Sequence, residues 1–230
     1  MSRKITERNN FAWLTSALTL VLFGVSVADQ LHLHLGQLVL QVGLVLALAL
    51  GVWSIRTDAH WYLTRIGLMT GVALLALVGI FLEWSRLDLI WLALLCGYLV
   101  ATAKVAMEQV LFSGRVDGNK IVGAVCIYLL LGLIWTTLYL MVSELVPGSF
   151  NGLASSTWDE TFPELVYFSF TTITTLGYGD ISPSAPLTRF LALAEAIVGQ
   201  FYIAVLVASL VGIRISRPSN DSTSGSSATD

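Results

Sequence analysis

Residues 174–180 read TTLGYGD and end an apolar run, 165–174, that is too short to cross a membrane, because a crossing helix needs about 20 residues. Gly177 and Gly179 permit backbone angles that are closed to other residues, so the chain can return from such a half-helix in an extended form. A re-entrant segment of this kind is tolerated at membrane depth only where it lines a water-filled path. Its exposed carbonyls are then ligands for a cation, and the pattern predicts a cation-conducting pore loop.

The half-helix before this segment has its own start and stop signals. Thr161 and Glu164 have the spacing of a capping box, with Thr161 as the N-cap. Pro163 falls in the first turn, where its missing N–H costs little. After the segment, Pro183 and Pro186 prevent immediate continuation as a helix. The half-helix would point its partially negative C-terminal end toward a cation in the cavity.

The composition excludes most soluble functions. The 230-residue chain is 56% hydrophobic and 12% charged, against about 25% charged residues in an average soluble domain. Its net charge of −3 leaves no basic excess for nucleic acid. Cys96 and Cys126 match no metal or disulfide spacing and are predicted to be small buried hydrophobes. The sequence predicts an integral membrane protein that lies in the lipid bilayer, is not an enzyme and has no cofactor.

Six apolar segments are long enough, or nearly so, to cross the bilayer, and short polar connectors separate them. An all-α bundle of six transmembrane helices is expected, with the re-entrant pore helix between spans five and six, because only helices satisfy their own backbone groups in lipid. The predicted spans are 11–28, 35–55, 63–82, 89–103, 121–145 and 187–215.

The distribution of Lys and Arg predicts the orientation of these spans. With the N-terminus in the cytoplasm, only Arg86 and Arg189 fall outside. The other basic residues lie on inner connectors: Arg3, Lys4, Arg8, Arg56, Arg65, Lys104, Arg115, Lys120, Arg214 and Arg217. We expect a multi-pass protein of the cell membrane with both termini in the cytoplasm. A cleavable signal peptide is the alternative for the first span, but its apolar run is longer than the ~7–15 residues of a signal core.

The seven residues TTLGYGD closely resemble the potassium-channel signature, whose filter is built from backbone carbonyls. The order of elements around them is also similar, with an outer helix, a pore helix, a filter and an inner helix. Over 121–215 the chain resembles the pore of the prokaryotic two-transmembrane potassium-channel family, here with four additional N-terminal spans. The resemblance implies a channel that conducts K⁺ passively and selectively.

The resemblance also implies which residues hold the ion. The K⁺ ligands would be five consecutive residues of the loop: Thr175, Leu176, Gly177, Tyr178 and Gly179. The Thr175 hydroxyl would complete the innermost site. Leu176 stands where valine is commonest in the family, but its side chain is expected to point away from the ions.

Five further residues would support the filter: Thr174, Asp180, Tyr167, Phe168 and Thr171. The resemblance places Asp180 at the outer mouth and the two aromatic residues in a cuff around the filter. Thr171 occupies a pore-helix position where some family members have a glutamate that couples to the aspartate, so the resemblance implies conduction but not the family's filter stability or inactivation.

Glu195 and Gly199 lie inside the last span and are the candidate gating residues. An ionisable group in a span is expensive and usually faces protein or water, so Glu195 either faces the cavity or packs behind the pore helix and bonds its hydroxyls. Gly199 sits where the family often has a hinge glycine, and a small residue at a helix–helix contact is an equal alternative.

One filter motif occurs in the chain, and a ring of carbonyls needs four. A homotetramer with its pore on the fourfold axis is therefore expected. Two alternative functions remain: a weakly selective cation channel on the same fold, and a cation transporter subunit. The intact Gly-Tyr-Gly disfavours the first, and the absence of a second re-entrant segment in the sequence disfavours the repeats typical of the second.

The run 87–103 contains no basic residue, whereas a voltage sensor needs several charges in one span, each worth ~2.3 kcal/mol per 100 mV. Opening is therefore expected to be nearly voltage-independent, and no soluble regulatory domain is expected. The predicted organisation is a cytoplasmic N-terminus (1–10), a peripheral four-helix membrane domain (11–106), a cytoplasmic linker (107–120), the pore domain (121–215) and a disordered cytoplasmic tail (216–230).

Overall fold

The computed structural model describes residues 10–30, 67, 70, 71, 85–112, 118–153 and 158–215. Within these ranges the fold is mostly helical. Its elements, in chain order, are α1 (Asn10–Gln30), α2 (Ser85–Phe112), α3 (Gly118–Leu145), β1 (Phe150–Asn151), α4 (Trp158–Ile173), β2 (Ser182–Pro183) and α5 (Pro186–Ile215).

Three of the described helices are long and apolar enough to cross a membrane. Their candidate spans are Leu89–Val110, Asn119–Leu145 and Pro186–Ser209, and α1 contains the shorter apolar stretch Phe11–Gly24. The protein is a multi-pass membrane protein. The second and third predicted spans, 35–55 and 63–82, lie almost wholly outside the described residues.

The fourth predicted span ends too early. Helix α2 continues beyond residue 103 to Phe112, because Lys104 and Glu108 are exposed on its surface and both residue types are good helix formers. Most of the linker predicted over 107–120 is therefore helical: α2 covers its beginning, and α3 starts at Gly118. The ends of α1, α3 and α5 differ from the predicted spans by three residues or fewer.

Helix α3 is the centre of the described structure, since α1, α2, α4 and α5 all pack against it. On one side Leu14 of α1 and Leu95 of α2 are buried with Leu130 of α3 in one apolar core. On another side, α4 lies so close that a Cβ added at Gly132 would stand 2.7 Å from the Phe170 ring. Glycine at position 132 thus permits α4 to pack directly on the backbone of α3.

Helix α5 is mostly uncovered in the protomer. Only 11% of its apolar span is buried, against 50% for the spans of α2 and α3. Its uncovered side chains are large and apolar and include Phe190, Leu193, Ile197, Phe201 and Val205. An apolar face of this extent is typical of a surface that contacts protein or lipid.

Candidate pore loop

The pore helix α4 begins one turn earlier than the capping box predicted. It starts at Trp158, so the proposed N-cap, Thr161, is already a buried helical residue and Pro163 lies in the second turn. In the sequence, Thr157 and Glu160 repeat the same Thr-x-x-Glu spacing. The predicted C-terminal end is close to the observed one, Ile173.

The predicted filter, residues 174–180, follows α4 directly, and its backbone N–H groups bond to a carbonyl in the last turn of that helix. The Thr171 carbonyl accepts hydrogen bonds from two backbone N–H groups, those of Leu176 at 2.8 Å and Gly177 at 3.1 Å. The Thr174 hydroxyl donates to the Phe170 carbonyl at 2.6 Å. Thr171 thus contacts the predicted filter through its backbone carbonyl, while its hydroxyl donates to the Phe168 carbonyl at 3.0 Å.

Every second residue of the filter segment has a positive φ. The values are 59° at Thr175, 53° at Gly177 and 83° at Gly179. Such an alternation of backbone conformations is compatible with a row of ion-coordinating carbonyls. Such a φ is rare for a β-branched residue and costs of the order of 1–3 kcal/mol, so Thr175 is held by its surroundings.

Tyr167 of the pore helix packs beside the filter of its own protomer. Its ring stacks on Tyr178 with centroids 6.2 Å apart and an angle of 4° between the planes. The Tyr167 hydroxyl also lies near the Asp180 carboxylate. Three of the residues that the sequence analysis singled out are thereby brought together at the outer end of the filter.

Phe168 does not share this position. It is buried, and its ring packs edge-on against Tyr139 of α3 and Phe150 of β1, with centroids 5.1 and 5.3 Å away. Within the protomer its ring does not face the same side as that of Tyr167, because consecutive residues on a helix point about 100° apart, and a place for both rings in a cuff around the filter stays a prediction. Phe168 is an anchor behind the pore helix.

A small sheet, which the sequence analysis missed, ties the outer end of the filter to the end of α3. Strands β1 and β2 are antiparallel, with Phe150 opposite Pro183 and Asn151 opposite Ser182. The Ser149 carbonyl accepts hydrogen bonds from the Ser184 N–H at 2.9 Å and from the Thr188 hydroxyl at 2.9 Å. Two-residue strands have no periodicity in the sequence, and only the Pro and Gly residues signalled a turn here.

Gly199 of α5 faces the C-terminal end of the pore helix. A Cβ added at this position would lie 2.6 Å from the Ile173 carbonyl oxygen. The neighbouring Gln200 amide donates to the Thr175 hydroxyl at 3.4 Å. Of the two alternatives for Gly199, this geometry supports close packing.

Two tyrosines strengthen the same junction. The Tyr128 hydroxyl of α3 donates to the Ile173 carbonyl at 3.0 Å, and its ring stacks on Tyr202 of α5 at 5.8 Å. The Tyr202 hydroxyl in turn donates to the Ala124 carbonyl at 2.6 Å. The start of the filter is therefore held by α3 and α5 together.

Glu195 packs behind the pore helix, the second of the two positions that the sequence left open. It is 0% exposed. Its Oε2 atom lies 2.5 Å from the hydroxyl of Tyr139 in α3, and its Oε1 atom lies 2.6 Å from the hydroxyl of Ser169 in α4. Tyr139 and Ser169 were not predicted, because their meeting depends on contacts between residues far apart in the chain.

From α3 to α5 the chain forms an outer helix, a half-helix, an extended loop and an inner helix. Residues 123–214 match the family model described as ion channel. The matched segment is thus an ion-channel domain rather than an enzyme domain.

A 66-residue segment is 29% identical to the two pore potassium channel c of Oryza sativa subsp. japonica. That segment is 29% of this chain and only 14% of the plant protein, so the chain spans a small part of that relative's length. No solved structure matches the chain significantly.

Proposed function

We propose that the protein is a potassium-selective channel that conducts K⁺ passively across the cell membrane. The observation that carries the proposal is the alternation of positive φ at Thr175, Gly177 and Gly179 within a Gly-Tyr-Gly sequence. This backbone presents consecutive carbonyls that replace the hydration shell of K⁺. The similarity of one segment to a plant potassium channel supports the same ion.

The functional unit is a homotetramer. One chain contributes one filter strand, whose residues 174–180 are all exposed in the protomer, and four strands around an axis complete the ring of carbonyls. The uncovered apolar face of α5, with Leu193, Ile197 and Phe201 among its members, supplies a surface for the neighbouring subunits. The cytoplasmic placement of both termini belongs to the same proposal.

The direct test is the reversal potential of the purified protein in planar bilayers with K⁺ on one side and Na⁺ on the other. A reversal close to the K⁺ equilibrium potential is expected. A reversal near zero with robust current would identify a weakly selective cation channel and overturn the potassium assignment.

The chain offers a matched pair of glycine variants for this test. Gly177 and Gly148 both have positive φ, 53° and 74°, and a Cβ added at either would meet nothing within 4 Å. Gly177→Ala and Gly148→Ala therefore impose similar backbone strain, but only position 177 belongs to the filter. Loss of selective current in the first variant and its retention in the second is expected, with tetramer assembly intact in both.

A further inference from the structure

Glu195 belongs to a buried chain of oxygen atoms that joins three helices. Its carboxyl lies 2.5 Å from the Tyr139 hydroxyl and 2.6 Å from the Ser169 hydroxyl. The Ser169 hydroxyl also lies 2.8 Å from the Gly132 carbonyl oxygen. Three oxygen–oxygen contacts of hydrogen-bond length thus connect α5, α4 and α3.

Each of these contacts requires one proton between its two oxygens, because unprotonated oxygens at such distances repel. The hydroxyls of Tyr139 and Ser169 supply one proton each, and the Gly132 carbonyl supplies none. A single Ser169 proton shared between two acceptors would give two long contacts, whereas both observed contacts have the length of an ordinary O–H···O bond. A proton on Glu195 would supply the third.

The contact with Gly132 decides between the two protonation states of the carboxyl. The distances from Glu195 to its neighbours suit either state, because bonds to an ionised carboxylate are also short, about 2.5–2.7 Å. With Glu195 ionised, Ser169 would donate to the carboxylate, and its oxygen would face the Gly132 carbonyl with no proton between them.

We propose that Glu195 is a neutral carboxylic acid in this structure and positions the pore helix through a proton chain that alkaline pH breaks. Oε1 of Glu195 donates to Ser169, Ser169 donates to the Gly132 carbonyl, and the Tyr139 hydroxyl donates to Oε2. All three contacts are then satisfied.

The surroundings of the carboxyl are consistent with a neutral acid. A buried ionised carboxylate without a cation is very costly. In the part of the chain that the structure describes, the neighbours that act on Glu195 are hydroxyl groups. The titratable groups facing it are Tyr139 and Tyr128, both of α3, while α4 contributes Ser169, which does not titrate in the accessible range.

These hydrogen bonds matter for conduction because Ser169 lies two residues before Thr171. The Thr171 carbonyl accepts hydrogen bonds from the backbone of Leu176 and Gly177 in the proposed filter. Removal of the Glu195 proton leaves Ser169 with one proton for two acceptors, so its bond to the Gly132 carbonyl is lost and the attachment of α4 to α3 is weakened at this point. We expect the current to fall at alkaline pH. This consequence rests on the proposed channel function.

The protonation state of Glu195 can be tested without recording any current. Infrared difference spectra of the purified protein, recorded from about pH 5 to about pH 10, report the C=O stretch of protonated carboxyl groups. We expect a band at neutral pH that disappears on alkalinisation, is missing at every pH in Glu195→Gln and is kept in Glu108→Gln, which replaces an exposed glutamate of α2. If wild type has no such band at neutral pH, the proposal is overturned.

A second variant keeps this test decisive if Glu195→Gln does not fold. Tyr139→Phe removes the donor to Oε2, so the band should remain and shift to higher frequency. An unshifted band in this variant would overturn the assignment to Glu195.

The link to the pore is tested by the pH profile of the current. The amide of Glu195→Gln donates to Ser169 and accepts from Tyr139 as the neutral acid does, so this variant should conduct and lose the alkaline decline of wild type. A decline that is unchanged in Glu195→Gln would overturn the positioning role. If the proposed channel function is wrong, the protein will carry no selective current, but the infrared band of Glu195 will still disappear at alkaline pH.

Discussion

Gly199 of α5 lies directly against Ile173, the last residue of the pore helix. A Cβ at position 199 would stand 2.6 Å from both the carbonyl oxygen and the Cγ1 atom of Ile173. The same carbonyl accepts a hydrogen bond from the Tyr128 hydroxyl. The pore helix therefore ends between α3 and α5, at the point where the filter begins, and position 199 has no volume for a side chain.

Gly199→Ala is expected to lower the free energy of unfolding by about 1–3 kcal/mol, the usual cost of an inserted group in a close-packed contact. The rigid backbone carbonyl of Ile173 cannot move aside as the end of a side chain could. The clash outweighs the ~1 kcal/mol by which alanine is the better helix former. Thermal unfolding of the detergent-solubilised protein measures the change.

Gly97→Ala is the control for that experiment. Gly97 also lies within a long helix, α2, but a Cβ there would meet nothing within 4 Å, so its replacement should leave stability unchanged or raise it. Equal stability of the Gly199 and Gly97 variants would contradict the close contact with Ile173.

The parts of the pore that local sequence encodes could be predicted. Residues 165–174 have the length of a half-membrane helix, and Gly177 and Gly179 mark the return of the chain, so the helix and the loop were both expected before the fold was known. The same holds for α3 and α5, whose apolar runs differ from the observed helices by only a few residues.

The contacts between these parts could not be predicted. Tyr139 and Glu195 are 56 residues apart in sequence, and their meeting depends on how α3, α4 and α5 pack. Phe168 follows Tyr167 directly, and only the rotation of α4 about its axis decides which of the two rings faces Tyr178. Periodicity gives the existence of a helix but not the partner of each face.

Gly132→Ala is expected to displace the pore helix from α3. A Cβ at this position would lie 2.7 Å from the Phe170 ring, which packs against the buried core. We expect a loss of stability of the order of 1–3 kcal/mol in thermal unfolding.

The matching rescue is Gly132→Ala combined with Phe170→Leu, which removes the ring atoms that clash. The double variant should be more stable than the sum of the two single changes predicts, since contacting residues couple by about 0.5–3 kcal/mol. Simple additivity of the two effects would argue against the contact.

Conductance should depend only weakly on voltage. The span of α2 from Leu89 carries no basic residue before Lys104, and several charges must cross the field for steep gating, at ~2.3 kcal/mol per charge per 100 mV. Current–voltage recordings in symmetric K⁺ are expected to give a nearly linear relation at constant open probability. A steep sigmoidal conductance curve would contradict this prediction.

The stack of Tyr167 on Tyr178 predicts which part of the tyrosine matters for selectivity. The rings are 6.2 Å apart and nearly parallel, so Tyr167→Phe keeps the stack and removes only the hydroxyl beside Asp180. Tyr167→Ala removes the ring that holds Tyr178, whose carbonyl belongs to the row of proposed K⁺ ligands. We expect the reversal potential between K⁺ and Na⁺ to stay at its wild-type value in Tyr167→Phe and to move toward zero in Tyr167→Ala. Phe23→Ala, which removes an exposed ring from α1, is the control and should leave selectivity unchanged; wild-type selectivity in Tyr167→Ala would show that the stack does not hold the filter.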